Sequence, residues 1–146
     1  MKREYPERPL VGVGAVIVEG GRVVVVRRAT EPLKGEWSIP GGLLELGETV
    51  AAAVAREALE ETGLVVEPGE VLGVFDRIVP DEQGKIRYHY VLIDLLCRRV
   101  SGELRAGGDA AEARWLTAEE LKTFPVSEPA AGLLRKALAR SQPFQR

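Results

Sequence analysis

Hydrophobic and polar positions change rhythm several times along the chain. Residues 11–18 and 23–26 are dense in valine and flank Glu19-Gly20-Gly21-Arg22. Two β-branched runs around a glycine pair predict a hairpin. Their lack of alternation predicts strands covered on both faces. Residues 29–48 have few periodic apolar positions. Within them Trp37-Ser38-Ile39-Pro40-Gly41-Gly42 predicts a short strand running into a glycine turn, and the segment as far as Gly47 reads as a long loop. An ordered loop of that kind in a compact domain tends to carry function. Residues 49–62 predict a helix, with Thr49 as its cap, alanines in its body and Gly63 just past its end.

Beyond that helix, residues 71–79 and 86–97 predict two strands around the turn Pro80-Asp81-Glu82-Gln83-Gly84. A short strand is expected at 113–116. Thr117-Ala118-Glu119-Glu120 then forms a capping box that opens a short helix. Ser127 is expected to cap a last helix reaching about Arg140, with Leu133, Leu134, Ala137 and Leu138 turned inward. Residues 1–9 read as a polar arm and residues 141–146 as a tail. Hairpins and helices in this order predict a single α/β domain over residues 1–146, layered as a sandwich around a mixed sheet.

Composition narrows the class. The 146 residues are 45% hydrophobic and 29% charged, the profile of a folded globular protein. The formal net charge of −2 argues against a nucleic-acid binder, which carries a basic excess. No apolar run approaches the roughly 18 residues of a membrane span. The start, Met1-Lys2-Arg3-Glu4-Tyr5-Pro6, lacks a signal-peptide apolar core. With one cysteine, Cys97, no disulfide can form within the chain. A cytoplasmic protein with neither a nucleic-acid nor a membrane partner is expected.

The chemistry concentrates on the helix. At about 100° per residue, Glu57, Glu60 and Glu61 fall within one arc of about 100°. Ala51, Val54, Ala55 and Ala58 occupy a neighbouring arc that can face the core, which places the carboxylates at the edge of the buried surface. Like charges at i,i+4 spacing disfavour a helix, and acids sit badly at its C-terminal end. A hard divalent cation bound by oxygen ligands would make sense of the cluster. A solvated acidic face is the other reading.

The flanking residues discriminate between these. Gly42 is followed after five residues by Glu48, and after seven more by Arg56-Glu57-Ala58-Leu59-Glu60-Glu61-Thr62-Gly63-Leu64. This stretch, residues 42–64, resembles the Nudix box, with every fixed glycine, glutamate and arginine present. Ala58 stands where the pattern has a larger aliphatic residue, a change that bears on packing. Trp37-Ser38-Ile39-Pro40-Gly41-Gly42 is similar to the family's approach to the box.

The resemblance implies a Nudix-like α/β/α sandwich with a mixed central sheet, and hydrolysis of the pyrophosphate of a nucleoside diphosphate derivative with Mg²⁺ or Mn²⁺. It implies Glu57, Glu60 and Glu61 as metal ligands, with a backbone carbonyl of Gly41 or Gly42. Arg56 would orient the glutamates through charge-assisted hydrogen bonds; a plain surface ion pair is the alternative. Glu48 would brace the loop, contact metal through water or contribute to substrate binding, or simply supply charge at the helix start. Glu112 matches a region where family members place a further catalytic glutamate, against the reading of a charged loop residue.

Substrate is less legible. Arg27 and Arg28 end a strand and could meet phosphates. Trp37, Phe75, Tyr88 and Tyr90 could stack a base or pack the core. His89 and Cys97 read as structural. Pro80, sixteen residues after Leu64, resembles a feature of the ADP-ribose pyrophosphatase subgroup and also begins a turn. ADP-ribose or a related nucleotide sugar is the preferred small-molecule substrate, giving AMP and a sugar phosphate. A triphosphate house-cleaning pyrophosphatase is the enzymatic rival, and a non-catalytic nucleotide sensor the rival of another class. A homodimer is plausible by the same resemblance.

Overall fold

The computed structural model describes residues 2–31 and 33–141. Seven strands and three helices follow one another as β1 (Leu10–Glu19), β2 (Arg22–Arg28), β3 (Trp37–Ser38), β4 (Gly41–Leu43), α1 (Val50–Thr62), β5 (Val65–Pro80), β6 (Ile86–Ser101), β7 (Ala110–Thr117), α2 (Ala118–Leu121) and α3 (Ala130–Ser141). The strand order is β3-β2-β1-β6-β5, with β4 beside β1 and β7 beside β2. Among the described strand pairings β1–β6 is parallel and the others antiparallel, so the sheet is mixed as expected.

The valine runs explain why β1 and β2 lie at the centre. Along β1, Val13, Ala15 and Ile17 enter one apolar cluster with Ala53, Val54 and Ala58 of α1. Val16 and Val18 enter a second with Leu133, Leu134, Ala137 and Leu138 of α3. Successive side chains point to opposite faces, so an unbroken apolar run needs a cover on each side. Helix α1 supplies one cover and α3 the other, which makes the α/β/α sandwich. The hairpin holds only close to its turn, at Val18↔Val23 and Glu19↔Arg22. Further along, β1 pairs β6 and β4 while β2 pairs β7 and β3.

Five expected elements shift. Strand β5 starts at Val65 rather than residue 71, absorbing Glu67-Pro68-Gly69-Glu70 through breaks in register. A proline is tolerated there because β5 is the outer strand of the sheet. Strands β6 and β7 are also longer than expected, and the glycine turn at residues 41–42 is itself the edge strand β4. The last regular helix begins at Ala130, not immediately after Ser127, because Pro129 intervenes; the Ser127 carbonyl still accepts from the Ala131 amide. Residues 142–146, expected to form a tail, lie outside the described residues. The N-terminal arm docks on the β5–β6 hairpin through Tyr5, whose hydroxyl donates to Asp81 at 2.8 Å. No described helix is long and apolar enough to cross a membrane.

Candidate active site

Helix α1 forms where its sequence allows. The Ala52 amide donates to the Thr49 side chain at 3.0 Å, capping the start. Gly63 adopts a left-handed conformation, φ 74°, and its amide donates to the Leu59 carbonyl. The buried face is rotated from expectation. Ala53, Val54 and Ala58 are buried and Ala51 is exposed. Glu57 and Glu61 consequently fall inside the buried arc, not at its edge. Glu61 is only 6% exposed and the Glu57 side chain 12%, whereas the Glu60 side chain is 53% exposed.

Strand β4 receives these two carboxylates. The Gly41 amide donates to Glu61 Oε1 at 3.0 Å. The Glu57 carboxylate lies so close to Gly42 that a Cβ there would overlap it. A Cβ at Gly41 would overlap the Val13 carbonyl of β1. The glycine pair is therefore a requirement of close approach between α1, β4 and β1, and not of turn conformation.

Arg56 organises the surroundings. Its Nε donates to Glu48 at 2.6 Å, Nη2 to Glu48 at 2.9 Å and to the Leu43 carbonyl at 3.1 Å, and Nη1 to Glu57 at 2.8 Å. Glu45 and Glu60 lie farther from Nη1, at 3.4 and 3.6 Å. The guanidinium, helped by the Glu45 amide, holds Glu48 down at about 2. Glu48 thus braces the loop, and Arg56 is more than a surface ion pair. Burial pushes Glu57 above the ordinary carboxylate range against the pull of Arg56. Burial also pushes Glu61 up to about 7, with Glu57 and Asp109 adding repulsion and Gly41 and Arg28 opposing it.

A cavity of about 240 Å³ runs from Glu61, Gly41 and Gly42 across the sheet face towards Phe75, Tyr88 and Tyr90. Tyr88 and Tyr90 stack 6.3 Å apart. Arg28 lines this cavity, as do Arg77 and Arg3, which sequence reasoning did not single out. Trp37 instead packs edge-on against Phe124 at 4.9 Å. Glu112 stands apart: it lies on β7 opposite Arg27, is bonded to it at 2.8 Å, and its side chain is 52% exposed. Outside α1, the carboxylates that do line the cavity include Asp109, in the turn leading to β7, together with Glu36, Asp94 and Glu128. Asp94 on β6 was also missed, although a lone acid inside Val91-Leu92-Ile93-Asp94-Leu95-Leu96-Cys97 is a visible signal. His89 does not line the cavity, and Cys97 is buried with its thiol pushed up to about 12, as an inert core residue should be.

The donor set suits a hard cation: buried carboxylates, mutual repulsion and no sulfur or imidazole among them. Among the described residues, no three acidic, histidine or cysteine side chains already converge on one point as a metal shell. Glu57 and Glu61 are tied to Arg56 and Gly41 instead.

Comparison with known proteins places this geometry. The model of the NUDIX domain matches residues 8–137. The chain belongs to the NUDIX family. It is 37% identical over 113 residues to an ADP-ribose pyrophosphatase of Methanocaldococcus jannaschii, covering 77% of this chain and 64% of that protein. It is 36% identical over 108 residues to a MutT-like protein of Streptomyces ambofaciens, covering 74% and 63%. The chain thus spans just under two thirds of the length of these two NUDIX relatives. Among solved structures it superposes on a MutT NUDIX hydrolase from Burkholderia pseudomallei with a TM-score of 0.73 and 32% identity, covering 91% of this chain and 98% of that one.

Proposed function

We propose that the chain hydrolyses the pyrophosphate linkage of a nucleoside diphosphate derivative with Mg²⁺ or Mn²⁺, preferring ADP-ribose or a related nucleotide sugar and releasing AMP and a sugar phosphate. The observation that carries this reading is the pair of carboxylates, buried Glu61 and largely covered Glu57, held against the glycines that line a cavity of about 240 Å³. The M. jannaschii relative supports the substrate class by its activity. A triphosphate pyrophosphatase is the second reading.

Glu57, Glu60 and Glu61 would hold the ion, with the Gly41 carbonyl as a further ligand. When bound, a divalent ion offsets the charge on the pyrophosphate and makes a neighbouring water more acidic. Arg56 fixes Glu57 and ties α1 to the loop through Glu48, so that the ligands do not rearrange during the reaction. Arg28 and Arg77 offer the cationic charge that an anionic substrate needs inside the cavity. The attacking water's proton goes to a carboxylate facing the cavity. With Glu61 given to the ion, Asp109, which lines the cavity close enough to repel Glu61, is the proposed acceptor, and Glu112 would serve only by releasing Arg27.

A panel of ADP-ribose, NADH, dinucleoside polyphosphates, nucleotide sugars and nucleoside triphosphates, assayed with Mg²⁺ and with products identified, tests the proposal. Release of AMP and ribose 5-phosphate is expected. Inorganic pyrophosphate from a triphosphate alone would favour the second reading. Tight binding without hydrolysis would make the protein a sensor.

A further inference from the structure

Asp94 is a buried acid that the proposed hydrolysis does not use. It sits on β6 within an apolar strand, is 8% exposed, and lines the cavity. No described residue gives it a hydrogen bond or an ion pair, yet neither of its oxygens is sealed from the cavity. Room for it is made by Gly14, where a Cβ would overlap its carboxylate, and Ile39 packs over the same spot. Burial is the sole cause that raises its proton affinity, to about 6. A carboxylate kept inside without a partner costs stability, and the missing partner must reach it through the cavity.

The register fixes where that partner comes from. Gly14 is paired with Asp94 on one side and with Gly41 on the other. Asp94 therefore lies two strand spacings, roughly 10 Å, from the strand that receives Glu61. A nucleotide whose pyrophosphate lies at Glu61 extends its ribose and base over that distance. The walls on the Asp94 side are Phe75, Tyr90, Leu92 and Leu133, apolar surfaces suited to a ring.

We infer that Asp94 is a specificity-determining residue that accepts a hydrogen bond from an N–H or O–H donor on the nucleoside portion of the substrate. This rests on the hydrolase reading above and deepens it. An acceptor here selects for an exocyclic amino group or a ribose hydroxyl, and rejects a ligand presenting only oxygen acceptors, because two unpaired acceptors would face each other in a dry site.

The test compares wild type, Asp94→Ala and Asp94→Asn on ADP-ribose and on three analogues. These lack the adenine 6-amino group, the adenosine 2′-hydroxyl or the adenosine 3′-hydroxyl. If the panel identifies another nucleotide as substrate, its corresponding analogues are used. Wild type should lose about 10- to 100-fold in kcat/KM on one analogue, the worth of a bond to a charged group. Asp94→Ala should lose a similar factor on the parent, mainly through KM, and nothing further on that analogue. Asp94→Asn, which keeps an acceptor oxygen, should recover part of the loss. The analogue on which wild type loses activity and Asp94→Ala loses nothing further tells base from ribose. Equal losses on the parent and all analogues, in variants that melt at or above the wild-type temperature, overturn the inference while leaving the hydrolase reading intact. A wild-type protein that hydrolyses nothing on the panel overturns both.

Discussion

At the scale of single residues, the site trades stability for charge. Glu61 binds its proton more tightly in the folded protein, with a pKa of about 7, than in the unfolded chain near 4.5. Its contribution to stability is therefore full below pH about 4.5 and is lost as pH rises through about 7. Above that, the ionised side chain is a net cost in the metal-free protein, on the order of 3 kcal/mol. Glu61→Gln should accordingly raise the melting temperature of the metal-free protein at pH 8, leave it little changed at pH 4, and abolish most turnover. Equal melting temperatures at pH 8 would contradict the burial argument. That Glu57, Glu60 and Glu61 share one side of a helix was legible in sequence from their spacing; their proposed role as ligands came from the resemblance of residues 42–64 to the Nudix box. Their unequal depth was not legible. That depends on α1 turning Glu57 and Glu61 under β4, a rotation set by which residues β1 and β4 can admit. Asp109 and Asp94 follow no periodic signal that links them to the helix; only tertiary folding brings them to the same cavity.

At the scale of elements, the decisive contact is α1 against β4. Sequence showed the helix, its Thr49 cap and its Gly63 terminus, because those signals are local. It also showed the capping box at Thr117 and Glu120, which forms with both reciprocal bonds. It could not show that Gly41 and Gly42 form an edge strand, because glycine pairs read as turns. Their role lies in what approaches them. Gly42→Ala should leave the fold intact, since the residue has no positive φ, but should push the Glu57 carboxylate aside. A displacement of about 1 Å at such a site costs roughly 100-fold in rate, so kcat should fall by about that factor with a small change in melting temperature. Full activity in Gly42→Ala would show that the position of Glu57 is not critical. The start of β5 escaped the sequence reading for a similar reason: Glu67-Pro68-Gly69-Glu70 has turn composition, and an outer strand can carry it as a bulge.

At the scale of the whole molecule, the fold joins two hydrogen-bonded strand groups through one short hairpin and covers each face with a helix. This arrangement was largely legible, because uninterrupted valine runs demand cover on both sides. The pairing partners were not, since a hairpin signal says nothing about strands arriving from sequence-distant segments such as β6 and β7. The same architecture leaves a cavity lined by acids, arginines and aromatic rings, with Glu61 beside the β4 glycines. That combination fits a ligand carrying both an anionic group and an aromatic ring. The central claim is that Glu57 and Glu61 together bind a divalent cation, and Mn²⁺ titration followed by electron paramagnetic resonance measures it directly. Wild type should remove free Mn²⁺ signal stoichiometrically, and a folded Glu57→Gln/Glu61→Gln double variant should bind at least about 10-fold more weakly. Equal Mn²⁺ affinity in the two proteins would contradict the account.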